Sequence, residues 1–531
     1  MGGKRASLQW VSLVGVIWLQ SINGTNSNFP AYSSDLKQLM SLSQLQLNNL
    51  ALASDAGKLF GCLAGLAALC LPLWVLLLVG STLGFVGYGF QYLFLTHQIS
   101  SLSYPIVFFL TLLSGNGICW INTVCYIVTI RNFPHHRQAA VGLTTSYLGL
   151  SPVVYTAFVD VFSSSSTSVK TAQLYMLFNS VFPLIVSLVT APFMRAVHPE
   201  KETGAETETE TEIGFVVLFM TTLATGIYAV VTSLRPMSMR SLPWLNVMGL
   251  GACLALPLLI PLTEYFRETL EHGCIISREM RVCDVTLEAE PHQGAEEFET
   301  NRMKEEADNT AEQKSSAIED IGVKLMLTRL NFWLYFLIYL CGATLGLVYL
   351  NNLGQIADSR GYSKTSSLVS LASAFVFLGR LVPSLLDYAY SRNKSMVPGP
   401  SFIVAAMVPM SGAFFLLRHG SSVCLQLSTA IIGLSTGAIT AISVTTTTEL
   451  FGAANFAVNH NVVVANIPVG SFLFGGLAAL LYRKHGDEHG RCIGLQCYNQ
   501  TFMIWGSLSL LGTTLALFLH FRTRKFYSQS R

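Results

Sequence analysis

The sequence predicts an all-α polytopic membrane protein of about 14 spanning helices: two six-helix halves with two extra helices and a long polar loop between them. Three observations predict this class. The 531 residues are 51% hydrophobic and only 12% charged, too apolar for an ordinary soluble chain. The apolar residues fall in runs of about 20 or more, the length an α-helix needs to cross hydrocarbon. The acidic residues are segregated. Of 30, 15 lie in 267–328 and 6 in 200–212, which leaves nine for everything else. Lipid cannot solvate open backbone, so each apolar run should be a helix.

Six spans come first, at 8–29, 44–66, 71–95, 103–130, 138–160 and 172–196. The first follows Lys4 and Arg5 and ends in Ser21-Ile-Asn-Gly-Thr25 without a small-x-small cleavage site, which predicts an uncleaved helix. The fourth and fifth meet across a turn holding Arg131, His135, His136 and Arg137, where Pro134 ends any helix. The acidic stretch 200–212 precedes two more spans, at 213–233 and 242–263. The segment 267–328, acidic and poor in apolar residues, reads as a mostly disordered loop. The last six spans are 329–356, 365–388, 399–418, 422–448, 454–482 and 499–521. The chain thus divides into 1–198, 199–266, 267–328, 329–521 and a basic tail 522–531. An even count puts both termini on one side. Lys4, Arg5, Arg522, Arg524, Lys525 and Arg531 assign that side to the cytoplasm, with both acidic segments. Two six-helix halves around a central site are the architecture of major facilitator transporters.

The residues that could carry chemistry are few. Asp55 and Lys58 lie three apart inside the second span, on one helical face. They read either as a proton-coupling or substrate-binding pair, or as a structural ion pair locking two helices together. Asn116, Asn122 and Thr123 on the fourth span read as hydrogen bonds between helices or as a polar wall for a solute. Arg380 offers a planar fork to an anion, or a gate residue reaching the inner interface, with Asp387 seven residues on. Arg131, Arg137 and Glu449 read as gate or topology residues. Cys492 and Cys497 share a loop on the non-cytoplasmic side, and their spacing permits a disulfide without requiring one. The other cysteines of the 11 lie mostly in apolar runs and form no disulfide framework. A net charge of +2 offers nothing to a nucleic acid. The chain has no nucleotide-binding loop, no Gly-x-Ser-x-Gly and no His-Glu-x-x-His, so no enzyme, cofactor or metal is expected.

Several short motifs go together. They are Trp18-Leu-Gln-Ser21 with Asn23-Gly-Thr25, Gln46-Leu-Asn-Asn49 leading to Asp55-Ala-Gly-Lys58, and Leu71-Pro-Leu-Trp74. Gly87-Tyr-Gly89, Gly115-Asn-Gly117, Asn132-Phe-Pro134 and Gly142-Leu143 follow. The far end adds Glu449-Leu-Phe-Gly452, Cys492-Ile-Gly-Leu-Gln-Cys497 and Arg522-Thr-Arg-Lys-Phe-Tyr527. Through these the chain resembles the plant nodulin-like family, the group that includes the Nuclear Fusion Defective 4-like proteins, over most of its length except 200–212 and 267–328. The resemblance implies a major facilitator fold in a plant plasma membrane or endomembrane, such as the vacuolar one. It implies no particular substrate. The Gly-x-x-x-Asp-Arg-x-Gly-Arg-Arg loop of many major facilitators is replaced here by the uncharged Gly65-Leu-Ala-Ala-Leu-Cys-Leu-Pro72. The second half keeps Gly379-Arg380, Asp387, Arg392 and Lys394.

The expected function is secondary active transport of a small polar or anionic solute across a lipid bilayer by alternating access, with proton coupling through Asp55. A different class stays open: a non-transporting receptor or scaffold on the same fold, whose 267–328 loop recruits a cytosolic partner.

Overall fold

The computed structural model describes residues 3–134, 136–163, 168–195, 205–234, 243–267, 269, 321–362, 365–391, 399–452, 454–486 and 492–529. Among them there are helices and no strands. The first half comprises α1 (Gly3–Asn23), α2 (Phe29–Leu39), α3 (Gln44–Ala56), α4 (Gly61–Cys70), α5 (Leu73–Leu95), α6 (Tyr104–Asn132), α7 (Arg137–Phe162) and α8 (Ser168–Thr190). Then come α9 (Ala205–Leu234) and α10 (Pro243–Ala255). The second half comprises α11 (Val323–Thr328), α12 (Leu330–Tyr339), α13 (Leu345–Asn351), α14 (Leu353–Ser359), α15 (Thr365–Ser391), α16 (Gly399–Leu416), α17 (Ser422–Phe451), α18 (Phe456–Val464), α19 (Asn466–Gly470), α20 (Gly476–Lys484) and α21 (Gln496–Gln529). The π-turns Leu340–Thr344 and Ser471–Gly475 join α12 to α13 and α19 to α20. The face carrying both termini is called inner below, and the opposite face outer.

Twelve helical stretches among the described residues are long and apolar enough to cross a bilayer. The other two expected spans coincide with α1 and α7, of 21 and 26 residues, which are not among the twelve. Helix α1 carries Ser12, Gln20, Ser21 and Asn23, and α7 carries Thr144, Thr145, Ser146, Ser151 and Thr156, and all of these polar side chains are buried inside the bundle. The count of fourteen rests on these two.

Four expected boundaries change. The first span, expected over 8–29, is helical only to Asn23, then breaks and resumes as α2. The break is satisfied from α7: Tyr155 donates to Ile22 O at 2.9 Å, and Gly24 N donates to Ser151 Oγ at 3.1 Å. Irregular backbone at membrane depth survives only where protein supplies such partners. Helix α9 starts at Ala205, inside the stretch expected to be a linker. Ala and Glu are good helix formers, and acidic residues favour the first turn of a helix because of its dipole. The expected loop 267–328 has an ordered end: Ile321 N donates to Phe451 O at 3.0 Å, and Met326 of α11 is fully buried. Residues 270–320 and 196–204 lie outside the described residues. Finally, α21 runs to Gln529, so most of the expected tail continues the helix.

The halves meet along two close seams. In the first, α7 runs against α15; a Cβ built on Gly149 would stand 2.6 Å from Phe377 N. In the second, α4 runs against α18; a Cβ on Gly65 would stand 2.9 Å from Ala457 O. Small residues let such backbones approach, which is how membrane helices gain packing without a hydrophobic drive between them. The two extra helices flank the first seam. Tyr147 of α7 and Thr222 of α9 bond at 3.2 Å, and Ser367 of α15 donates to Ser233 O at 3.0 Å. Helix α9 therefore touches both halves.

Gly149→Val is expected to destabilise the purified protein by about 1–3 kcal/mol, because the obstructing atoms are backbone and cannot swing away. Gly251→Ala, inside α10 with nothing within 4 Å of its Cβ, should unfold at or slightly above the wild-type temperature. Thermal unfolding in detergent reads both.

Candidate functional site

A cavity of about 130 Å³ lies between the halves. That is room for a small solute rather than for a single water. The first half contributes Asn26 and Ser27 from the break after α1, Asp55 and Lys58 at the α3–α4 junction, and Asn122 and Tyr126 from α6. The second half contributes Asn351, Arg380, Ser443 and His460.

Asp55 is 1% exposed and Lys58 8%. Lys58 Nζ donates to Asp55 Oδ1 at 2.6 Å. The other carboxylate oxygen reaches across to the second half. Asn351 Nδ2 donates to Asp55 Oδ2 at 3.1 Å, and Ser471 Oγ donates to the same oxygen. Ser471 opens the π-turn after α19, and π-turns concentrate at functional sites. One carboxylate thus joins a cation of its own half to two donors of the other.

Above this pair the outer side is closed by further contacts. Gln355 Nε2 donates to Asn48 Oδ1 at 2.9 Å, and Tyr498 OH donates to Gln355 Oε1 at 3.2 Å. A Cβ on Gly354 of α14 would stand 2.8 Å from Pro30 O of α2. Below the pair, Asn461 Nδ2 donates to Thr123 Oγ1 at 3.3 Å, and Arg380 Nη1 donates to Thr145 O at 3.3 Å. His460 stacks on Phe456 and meets Tyr126 edge-on.

The structure brings Asp55, Lys58, Asn122 and Arg380 to one cavity. Asn122 Oδ1 accepts from Asn23 Nδ2 at 2.9 Å. Asn116 is not on the wall. It accepts from Trp120 Nε1 at 3.2 Å on its own helix. Arg131 and Arg137 are exposed at the inner turn, where Arg137 Nε donates to Pro134 O at 3.0 Å. Glu449 is half-buried near the inner end of α17, and the side chain of Asp387 lies outside the described residues. Cys492 and Cys497 are joined by a disulfide. No group of three or more metal-ligating side chains occurs among the described residues. Sequence reasoning missed Asn26, Ser27, Asn351, His460, Asn461 and Ser471. The run Asn459-His-Asn461 inside an expected apolar span was a signal for two of them.

A nodulin-like family model matches residues 9–263, and a model of the NFD4 C-terminal domain matches 314–529. The chain is 38% identical to Protein NUCLEAR FUSION DEFECTIVE 4 of Arabidopsis thaliana over 98% of its own length and 89% of that protein. The chain belongs to this nodulin-like family. A "Probable transporter MCH1" of Gibberella zeae matches at 23% identity over 41% of this chain and 46% of the other. Among solved structures, a proton dependent oligopeptide transporter superposes with a TM-score of 0.53, 12% identity, and coverage of 98% and 99% of the two chains. A bacterial homologue of drug peptide transporters gives 0.52 at 13% identity, covering 99% and 100%. This nodulin-like protein is a multi-pass membrane protein with the major facilitator fold.

Among the described residues outside the spans, one carboxyl of the nodulin-like chain is raised into the physiological range. Asp35, half-buried on α2, is pushed up to about 6 by burial and then by Asp358 of α14. A carboxyl raised in the folded protein binds its proton more tightly there than in the unfolded chain. Its contribution to stability is therefore intact near pH 4 and lost as pH rises toward 6. Asp35→Asn should unfold at a higher temperature than wild type above pH 6, with the gap closing by pH 4. Solvent screening limits the gain to about 1 kcal/mol or less. A constant gap across that range would refute it.

Proposed function

We propose that the protein is a secondary transporter that carries a small polar or anionic solute by alternating access, coupled to protons through Asp55. The observation that supports this best is the bridging of Asp55: a buried carboxylate beside the central cavity, held by Lys58 from one side and by Ser471 and Asn351 from the other half. Protonation of Asp55 weakens all three bonds at once, because each is strengthened by the carboxylate charge. The outer contacts between halves loosen in the same step. A proton taken from outside thus changes both the charge of the cavity and the access to it. The breaks after α1 and α13 put irregular backbone beside the cavity, as in transporters with discontinuous helices. The termini and both acidic segments face the cytoplasm, and the membrane is the plasma membrane or an endomembrane.

The test is reconstitution. Purified protein in liposomes receives an inward proton gradient while internal pH is followed and pooled metabolites are added. Solute-dependent acidification is the expected result. No acidification from any pool, with solute counterflow intact, would remove the proton from the cycle.

A further inference from the structure

We infer that the central cavity takes a small organic solute carrying one negative charge, anchored on Arg380. The inference rests on the transport reading above and deepens it by naming the substrate class. Among the described residues, the charged side chains lining the cavity are Asp55, Lys58 and Arg380. Asp55 and Lys58 satisfy each other at 2.6 Å, so one positive charge is left over.

That charge is on Arg380, which is 8% exposed. Its Nη1 donates to the Thr145 carbonyl, but its Nε is buried and makes no hydrogen bond. Among the described residues no carboxylate forms an ion pair with it. A buried guanidinium with an idle donor is costly, and an anion supplied from the cavity would complete it. A carboxylate matches best, because its two oxygens fit the planar fork.

The walls constrain the rest of the solute. Tyr126 and Tyr339 line the cavity with Arg380, and Leu347, Val376 and Ile467 add apolar surface. A second negative charge would meet no free cation, because Lys58 already serves Asp55. A neutral sugar or amide can offer an oxygen to the Arg380 Nε but leaves the buried guanidinium charge without a counter-ion, so it should bind less tightly than an anion.

The experiment measures thermal unfolding of the purified full-length protein in detergent at pH 7. Propionate, lactate and benzoate are added singly, then the matching amides, succinate and glucose. At least one monocarboxylate should raise Tm by about 2 °C or more, as a ligand that binds only the folded state does, and its amide should not. Arg380→Gln should abolish the shift, and Arg380→Lys should keep less than half of it. Should Arg380→Gln fail to fold, the comparison of acid with amide on wild-type protein decides. An equal shift from acid and amide, a larger one from succinate or glucose, or none from any acid overturns the assignment. Counterflow in liposomes separates the two readings. Acid-specific stabilisation without counterflow would overturn transport and keep the charge assignment. Counterflow of a neutral solute alone would do the reverse.

Discussion

Asp55→Asn is expected to abolish gradient-driven uptake and to destabilise the protein. The amide can still hydrogen-bond Ser471 and Asn351, but it cannot carry a proton or balance the Lys58 ammonium. Removing one partner of a buried pair costs about 3–5 kcal/mol, since the other charge is left uncompensated. Lost uptake in this variant alone could therefore reflect poor folding. Adding Lys58→Met removes the stranded charge, fits the space with a flexible side chain, and should restore most of the lost stability. The double variant should still fail to couple uptake to a proton gradient, while solute counterflow survives. This separates the two meanings of the pair. If Asp55 and Lys58 only hold helices together, restoring the fold restores gradient-driven uptake. Undiminished gradient-driven uptake in Asp55→Asn would sink the coupling role outright. The measurements are thermal unfolding, uptake with and without a pH difference, and counterflow at equal pH.

Much of the fold was legible because hydrocarbon imposes a rule on sequence: about 20 apolar residues per span, with charges kept to the ends. The rule fails where a helix never meets lipid. The segments of α1 and α7 were read as spans by the same rule, but they are not among the twelve stretches apolar enough to cross a bilayer, and their polarity belongs to the interior of the bundle. The break at Gly24 was hidden because the residues that satisfy it, Ser151 and Tyr155, come from α7, about 130 residues away.

The site was legible in part, for a similar reason. Asp55, Lys58 and Arg380 stand out because a charge inside an apolar run is costly and needs an explanation. Neutral polar residues carry no such signal. Asn116 and Asn122 are six residues apart, so they point about 120° away from each other on α6. Only one of them could face the cavity, and Trp120, one turn from Asn116, captured the other. The partners of Asp55 were beyond reach, since Ser471 lies 416 residues further along the chain. Pairing across halves depends on how two bundles dock, which local periodicity does not encode.

The second large effect concerns that docking. Asn48 and Gln355 touch at the outer side, one from each half. Alternating access requires such outer contacts to separate in every cycle. Asn48→Cys with Gln355→Cys, treated with a short bis-methanethiosulfonate reagent, should therefore stop uptake almost completely, and a reductant should restore it. Each single-cysteine variant given the same reagent should keep its activity. That control accounts for the native thiols, including the exposed Cys70, and giving the singles reductant accounts for the Cys492–Cys497 disulfide. The same link should leave acid-specific thermal stabilisation in place, because the cavity in this arrangement lies below the closed outer contacts. Loss of transport with binding retained is the signature of a gate. Transport that continues through the linked protein would mean that the halves do not part at this side, and the rocking mechanism would fall with it.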